Sequence, residues 1–423
     1  MPTVAPCPHT ESVRTTDPEL RGVRERRRAA LVAGSVVAAL FVPVMWRLTG
    51  GAALIRGQND LPGSLSEAAW SSLVPLRLSA PHFLLPVASR IVGTVTGLRA
   101  GMVIVVVGAA ATLFGAIAAS VPPSVHRSGW LRGVAVALLL FFFETPALLL
   151  LRSDDGSPLP WWAATGLAEV HHWASPTSML CLAVTMPLGW LLVREVGRLG
   201  SQHTPTPRTS VAIAALTVAS ALAKPSLVLA GLLAVPCYLA LRRGRGAPAI
   251  RLALSFEVPA AAVLAWQTWF LGAQQSPFDS AGGWRIEPGW VFTQEALHRP
   301  TFYLVLLVVP LAALVDRRRY VADPFVSASL VLWVAALGPT LLLRETGAQA
   351  SDGNFTVGSQ LAFFLVAAAT FRWLASIDVT QHGMRTLDRA WWVRRAPIGV
   401  FLVAGLVAGV LAYLDAIGAI AVA

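Results

Sequence analysis

The chain has 423 residues, 55% hydrophobic and 13% charged, with a mean hydropathy of +0.64. Soluble domains carry about 25% charged residues, so a soluble globule is excluded. The net charge of +11 sits mostly in short arginine-rich segments between apolar runs, a pattern that the positive-inside rule accounts for without a nucleic-acid partner.

Taken in chain order, residues 1–29 read as a basic, disordered cytoplasmic tail rather than a signal peptide. Residues 30–423 read as one multispanning domain. Eleven spans are expected near 30–48, 101–121, 132–151, 176–193, 210–223, 225–241, 252–271, 301–315, 323–343, 357–374 and 398–419. With the N-terminus cytoplasmic, the inner segments hold 23 of the 33 basic residues, and the C-terminus falls outside. The expected fold is therefore an all-α polytopic membrane protein with outer loops at 49–100, 152–175, 272–300 and 344–356. No internal repeat suggests an inverted-repeat transporter. No Gly-rich phosphate loop or dinucleotide fingerprint occurs among the inner segments. Cys7, Cys181 and Cys237 have no metal-ligand spacing and imply no disulfide framework.

The outer loops carry the chemistry. The first contains "NDLPGSLSEAAWSSLVPL", with Asp60, and "PHFLLPVASRIVGTVTGL", with His82 and Arg90. Its pattern predicts two short helices lying in the membrane interface. Asp60 in "QNDLPG" reads either as a solvated turn residue or as a functional carboxylate. The second loop holds Asp154, Asp155, His171, His172 and Trp173. Its adjacent histidines form no metal motif, and a polar start to the next span is the plainer reading. The fourth, "RETGAQASDGNF", places Arg344, Glu345, Asp352 and Asn354 between spans. An ion pair or anion site fits there, as does snorkelling of Arg344. Within spans, Glu144 is a weak site candidate, and Glu257 reads as structural.

Lys224, in "SALAKPSLVL", is the only lysine. Charge counting puts it at the outer end of a break between two spans, with Pro225 opening the next helix. An ammonium beside a helix N-terminus suits an anion; a snorkelling lysine is the alternative.

Five of these segments, Asp60 in "NDLPGSLSEA", His82 in "PHFLL", "HHWASPT" at 171–177, "AKPSL" at 223–227 and "ETGAQASDGNFTVG" at 345–358, occur in one order on one face. Together they resemble a family of bacterial multispanning proteins related to the GT-C glycosyltransferases. The chain departs from the family pattern at Ser64, where a histidine is common, and at Val357, where an aromatic residue is expected. The resemblance implies a GT-C-like fold in the plasma membrane and an inverting hexosyl or pentosyl transfer at the extracytoplasmic face. The donor would be a polyprenyl-phosphate-linked sugar, and the acceptor an envelope glycan, lipid or protein. Asp60 would be the catalytic base, because an acceptor hydroxyl must lose its proton. Lys224, Arg344 and Arg90 would hold the donor phosphate, where charge develops on the leaving group. His82, Asp154, Asp155, His171, His172, Trp173, Glu345, Asp352 and Asn354 would line the acceptor and sugar side. No metal ligands are assigned, and a divalent metal stays open. A transporter or flippase of lipid-linked glycan, or a non-catalytic envelope-assembly protein, are the competing expectations.

Overall fold

A computed structural model describes residues 18–51, 61–73, 76–77, 83–122, 129–143, 175–199, 204–242, 244–273, 282–286, 316–347, 354–376 and 389–419. Helix dominates for a physical reason. A bilayer offers no water to backbone N–H and C=O groups, so each crossing segment must satisfy them internally.

The first helices are α1 (Pro18–Leu48), α2 (Leu61–Trp70), α3 (Leu84–Thr96), α4 (Leu98–Ser120) and α5 (Gly129–Phe142). Next come α6 (Pro176–Leu199), α7 (Pro207–Ala223), α8 (Ser226–Leu241) and α9 (Ala247–Ala273). The last are α10 (Pro324–Leu342), α11 (Asn354–Ser376) and α12 (Arg389–Ala416). Two antiparallel ribbons accompany them: β1 (Ser72–Leu73) with β2 (Leu76–Arg77), and β3 (Gly282–Ile286) with β4 (Leu343–Gly347).

Among the described residues, seven helices are long and apolar enough to cross a membrane: α1, α4, α6, α9, α10, α11 and α12. Helices α5, α7 and α8 stand at three further expected spans but are shorter. The expected span at 301–315 lies outside the described residues, as do residues 144–151 of the third. α1 begins at Pro18, ahead of the apolar run, so the arginines of "RGVRERRR" continue the first helix toward its N-terminus. In the first long loop, α2 and α3 form as the two expected short helices, and both pack against α4.

The core lies where α1, α4, α5 and α11 meet. α1 and α4 cross at small residues: a Cβ on Gly34 would stand 2.9 Å from the Ala111 carbonyl oxygen, and one on Gly115 2.9 Å from that of Ala30. Such residues let helix backbones approach closely, which drives packing in lipid. Phe41, Phe114, Phe141 and Phe364 fill the middle in edge-on contacts, with ring centroids 5.5–6.2 Å apart.

The helix termini gather at two ends. At one, Arg372 at the close of α11 pairs with Asp323 at 2.9 Å and donates to the Ser120 carbonyl at the close of α4. Asp323 also caps α10, accepting from the N–H groups of Phe325 and Val326. Tyr320 is buried beside this pair and bonds the Thr370 hydroxyl at 2.9 Å. Burial pushes its phenol above the usual range. At the opposite end, Arg99 at the start of α4 lies 4.4 Å over the Trp46 ring near the end of α1. Arg47 there donates to the Ala416 carbonyl at the end of α12. The ends of α1 and α12 thus lie together, consistent with both helices running in one direction.

Candidate functional site at the Lys224 end

The break between α7 and α8 is built locally. Lys224 is extended (φ −164, ψ 124) and closes α7. Pro225 follows in helical geometry, and its carbonyl accepts from the Leu229 N–H. Proline has no N–H to lose at a helix start, so the sequence Lys–Pro–Ser ends one helix and opens another with little cost.

Lys224 is half-buried, and its Nζ donates to Ser178 Oγ at 3.2 Å. Ser178 is buried at the start of α6 and lies 2.8 Å from Ser175 Oγ. An ammonium only donates, so Ser178 accepts from Lys224 and its own proton is available to Ser175. Through Ser178, the residue that follows "HHWASPT", the contact links Lys224 of "AKPSL" to Ser175 of that segment.

Below this contact a seam of small polar side chains runs between α6 and α7. Cys181 Sγ lies 3.5 Å from the Lys224 carbonyl oxygen and 3.7 Å from the hydroxyls of Thr185 and Ser220. Thr185 and Ser220 hydroxyls are 2.7 Å apart and buried. On α6, Ser178, Cys181 and Thr185 share one face by helical spacing, and Ser220 and Lys224 do the same on α7. From α9, Gln267 reaches across to donate to the Ala221 carbonyl at 2.9 Å. Its neighbour Trp266 meets Phe83, at the head of α3, edge-on at 5.9 Å.

Two further segments arrive at this end. Gly358, in the first turns of α11, sits against the start of α8: a Cβ there would lie 3.2 Å from the Ser226 carbonyl oxygen. β4 leaves α10 directly at Leu343 and packs against both α10 and α11. Its register with β3 sets Arg344 opposite Arg285 and Glu345 opposite Trp284. Asn354 is the first residue of α11. The segments "HHWASPT", "AKPSL", "RETG" and "NFTVG" therefore meet at one end of the bundle, through the residues of each that the structure describes.

Arg90 is exposed on α3. Asp60, His82, Asp154, Asp155, His171, His172, Trp173 and Asp352 lie outside the described residues, as does Glu144. Glu257 is on α9, half-buried, with Oε1 lacking a hydrogen-bond partner among the described residues. Among the described residues, no three His, Cys, Asp or Glu side chains stand together as a metal site.

Sequence reasoning did not single out Ser178, Cys181, Thr185, Ser220 or Gln267. The three α6 residues carried a readable signal, since small polar residues at i, i+3 and i+7 on an apolar span mark a helix-packing face.

A second feature lies deeper. An apolar cavity of about 120 Å³ opens between α6, α8, α9, α10 and α11. Its wall includes Thr185 and Ser220 toward the Lys224 end and Tyr238 and Arg372 toward the other.

No protein-family model, no curated protein and no solved structure matches the chain.

Proposed function

We propose that this multispanning membrane protein is a GT-C-like glycosyltransferase. It moves a sugar from a polyprenyl-phosphate carrier to an envelope glycan, lipid or protein acceptor at the extracytoplasmic face of a bacterial plasma membrane. Asp60 takes the acceptor proton, and Lys224, with Arg344, meets the donor phosphate. The observation that carries this reading is the contact of Lys224 with Ser178. Through Ser178 it links the one lysine of the chain to Ser175 of the "HHWASPT" segment, at the end where "RETG" and "NFTVG" also arrive. A cation held by a hydroxyl beside a helix start is chemistry for an anionic leaving group.

The orientation is argued from charge. Arg28, Arg132, Arg194, Arg198, Arg242 and Arg372 belong to helix termini at the Asp323 end. By the positive-inside rule that end is cytoplasmic, and the Lys224 end faces outward.

The test is transfer from a labelled polyprenyl-phosphate sugar by membranes carrying the wild type or Asp60→Asn. The variant is expected to bind donor and form no product. Full transfer by Asp60→Asn would overturn the mechanism. The competing reading is movement of a lipid-linked glycan across the bilayer. Under that reading, proteoliposomes would expose labelled lipid on the far leaflet without forming product, equally for wild type and Asp60→Asn.

A further inference from the structure

A groove of about 610 Å³ opens between the first halves of α7 and α9. Val211 and Ala214 form its α7 wall, and Ile250, Leu254 and Val258 its α9 wall. All but Ala214 are exposed; on membrane helices, exposed apolar side chains face lipid. Both helices begin at the Asp323 end. α7 finishes at Lys224, at the other end, and α9 follows α8, whose closing residue Arg242 donates to the Ala322 carbonyl beside Asp323. The groove follows α9 from Ala247 to Val258, about 16 Å at 1.5 Å per residue. That is about half of a 30 Å hydrocarbon core, the depth of one leaflet.

The mouth of the groove is cationic. Arg251 is part of its wall. Arg208 stands three residues before Val211, on the same side of α7 by helical spacing, and Arg245 shortly precedes α9. All three are exposed. Among the described residues, none of their guanidinium groups has a hydrogen bond or an ion pair. α7 has no carboxylate, and α9 has only Glu257, which does not line the groove. On α6, Glu195 pairs with Arg194 and Arg198 instead. The helix start adds little of its own, because Thr206 caps α7 and Pro207 has no N–H to offer. In the α7 wall, the Ser210 hydroxyl is buried with no hydrogen-bond partner among the described residues. Such a group costs free energy that a ligand oxygen would recover.

We propose that this groove is a binding site for one anionic phospholipid. An acyl chain lies between α7 and α9, and the phosphodiester meets Arg251, with Arg208 and Arg245 at the rim. The occupant is hydrocarbon at the depth of Leu254 and Val258, because the groove opens sideways into the bilayer, where lipid chains are the solvent. At the mouth it is an anion, because three arginines there lack a neutralising partner, and guanidinium binds phosphate through paired N–H donors. A zwitterionic lipid brings its own ammonium beside the phosphate, so the arginines select a head group with net negative charge. By the orientation argued above, the lipid belongs to the cytoplasmic leaflet; the site itself does not depend on that orientation. It lies at the end opposite Lys224 and does not rest on the glycosyl-transfer reading.

The experiment uses the full-length protein in a non-ionic detergent. It is titrated with phosphatidylglycerol, with phosphatidylcholine of the same chains and with glycerol 3-phosphate, and bound ligand is counted by native mass spectrometry. Wild type is compared with Arg251→Gln, Arg251→Lys and Arg317→Gln. Arg317 is an exposed arginine at the same end that lies outside the groove. Wild type is expected to bind phosphatidylglycerol about 10-fold or more tighter than phosphatidylcholine, the scale of one hydrogen bond to a charged group. Arg251→Gln should lose most of that preference, Arg251→Lys should keep part of it, and Arg317→Gln should match wild type. Glycerol 3-phosphate, which has the phosphate and no chain, should bind far more weakly than the lipid. The proposal is overturned if wild type binds the two lipids equally, or if Arg251→Gln keeps the full preference. It is equally overturned if Arg317→Gln loses as much as Arg251→Gln, which would show diffuse surface attraction, or if glycerol 3-phosphate binds as well as the lipid. Asp60→Asn run alongside separates this site from sugar transfer, since loss of transfer chemistry leaves the lipid preference in place.

Discussion

Lys224 Nζ donates to Ser178 Oγ at 3.2 Å, linking the end of α7 to the start of α6. The bond fixes a charged group at a depth where a flexible lysine stem would otherwise carry it to the headgroups. It also makes Ser178 a positioning residue, because the ammonium gains direction from a hydroxyl that is itself buried.

That arrangement separates two substitutions. Lys224→Ala should weaken binding of a lipid phosphate by about 10- to 100-fold, the range for a hydrogen bond to a charged group. Ser178→Ala keeps the charge and loses only its placement, so the loss should be several-fold smaller. Calorimetric titration of both variants with an isoprenyl monophosphate checks this. Equal affinity for wild type and Lys224→Ala would remove the lysine from the phosphate site.

The pair of Arg372 and Asp323 makes a different kind of prediction. Their side chains are 12% and 14% exposed, so removing one partner leaves the other charge largely buried. Arg372→Ala should destabilise the protein by about 3–5 kcal/mol. Asp323→Asn keeps the cap on α10, since asparagine caps helices as well as aspartate. It should therefore cost about 1 kcal/mol less than Asp323→Ala, which loses cap and charge together. Unfolding of the detergent-solubilised variants measures the order Asn above Ala.

Orientation is open to thiol labelling. In a background without native cysteines, Val95→Cys and Arg318→Cys place single thiols at opposite ends of the bundle, at exposed positions. An impermeant reagent applied to intact cells should label Val95→Cys and reach Arg318→Cys only after permeabilisation. The reverse result would invert the membrane orientation and put Lys224 on the cytoplasmic side.

Much of the helical framework was legible because bilayer-length apolar runs leave the backbone few choices. The site was legible only as separate segments. Lys224 stood out by being the one lysine, and Pro225 marked the break beside it. Nothing local connected Lys224 to Ser178, since the two meet only when α6 and α7 lie side by side. The end of α5 at Phe142, within the run expected to span 132–151, was also hidden, because hydropathy does not report where a helix stops.

The sequence alone determined that this is a multispanning helical membrane protein, and which segments carry polar chemistry between or within its spans. It did so because hydrophobic length and charge asymmetry are properties of consecutive residues. Only the tertiary structure decided that Lys224 rests on Ser178, that Gly358 packs against Ser226, and that Arg285 stands opposite Arg344. Those relations depend on helix packing and strand register, which join residues far apart in the chain and leave no local pattern to read.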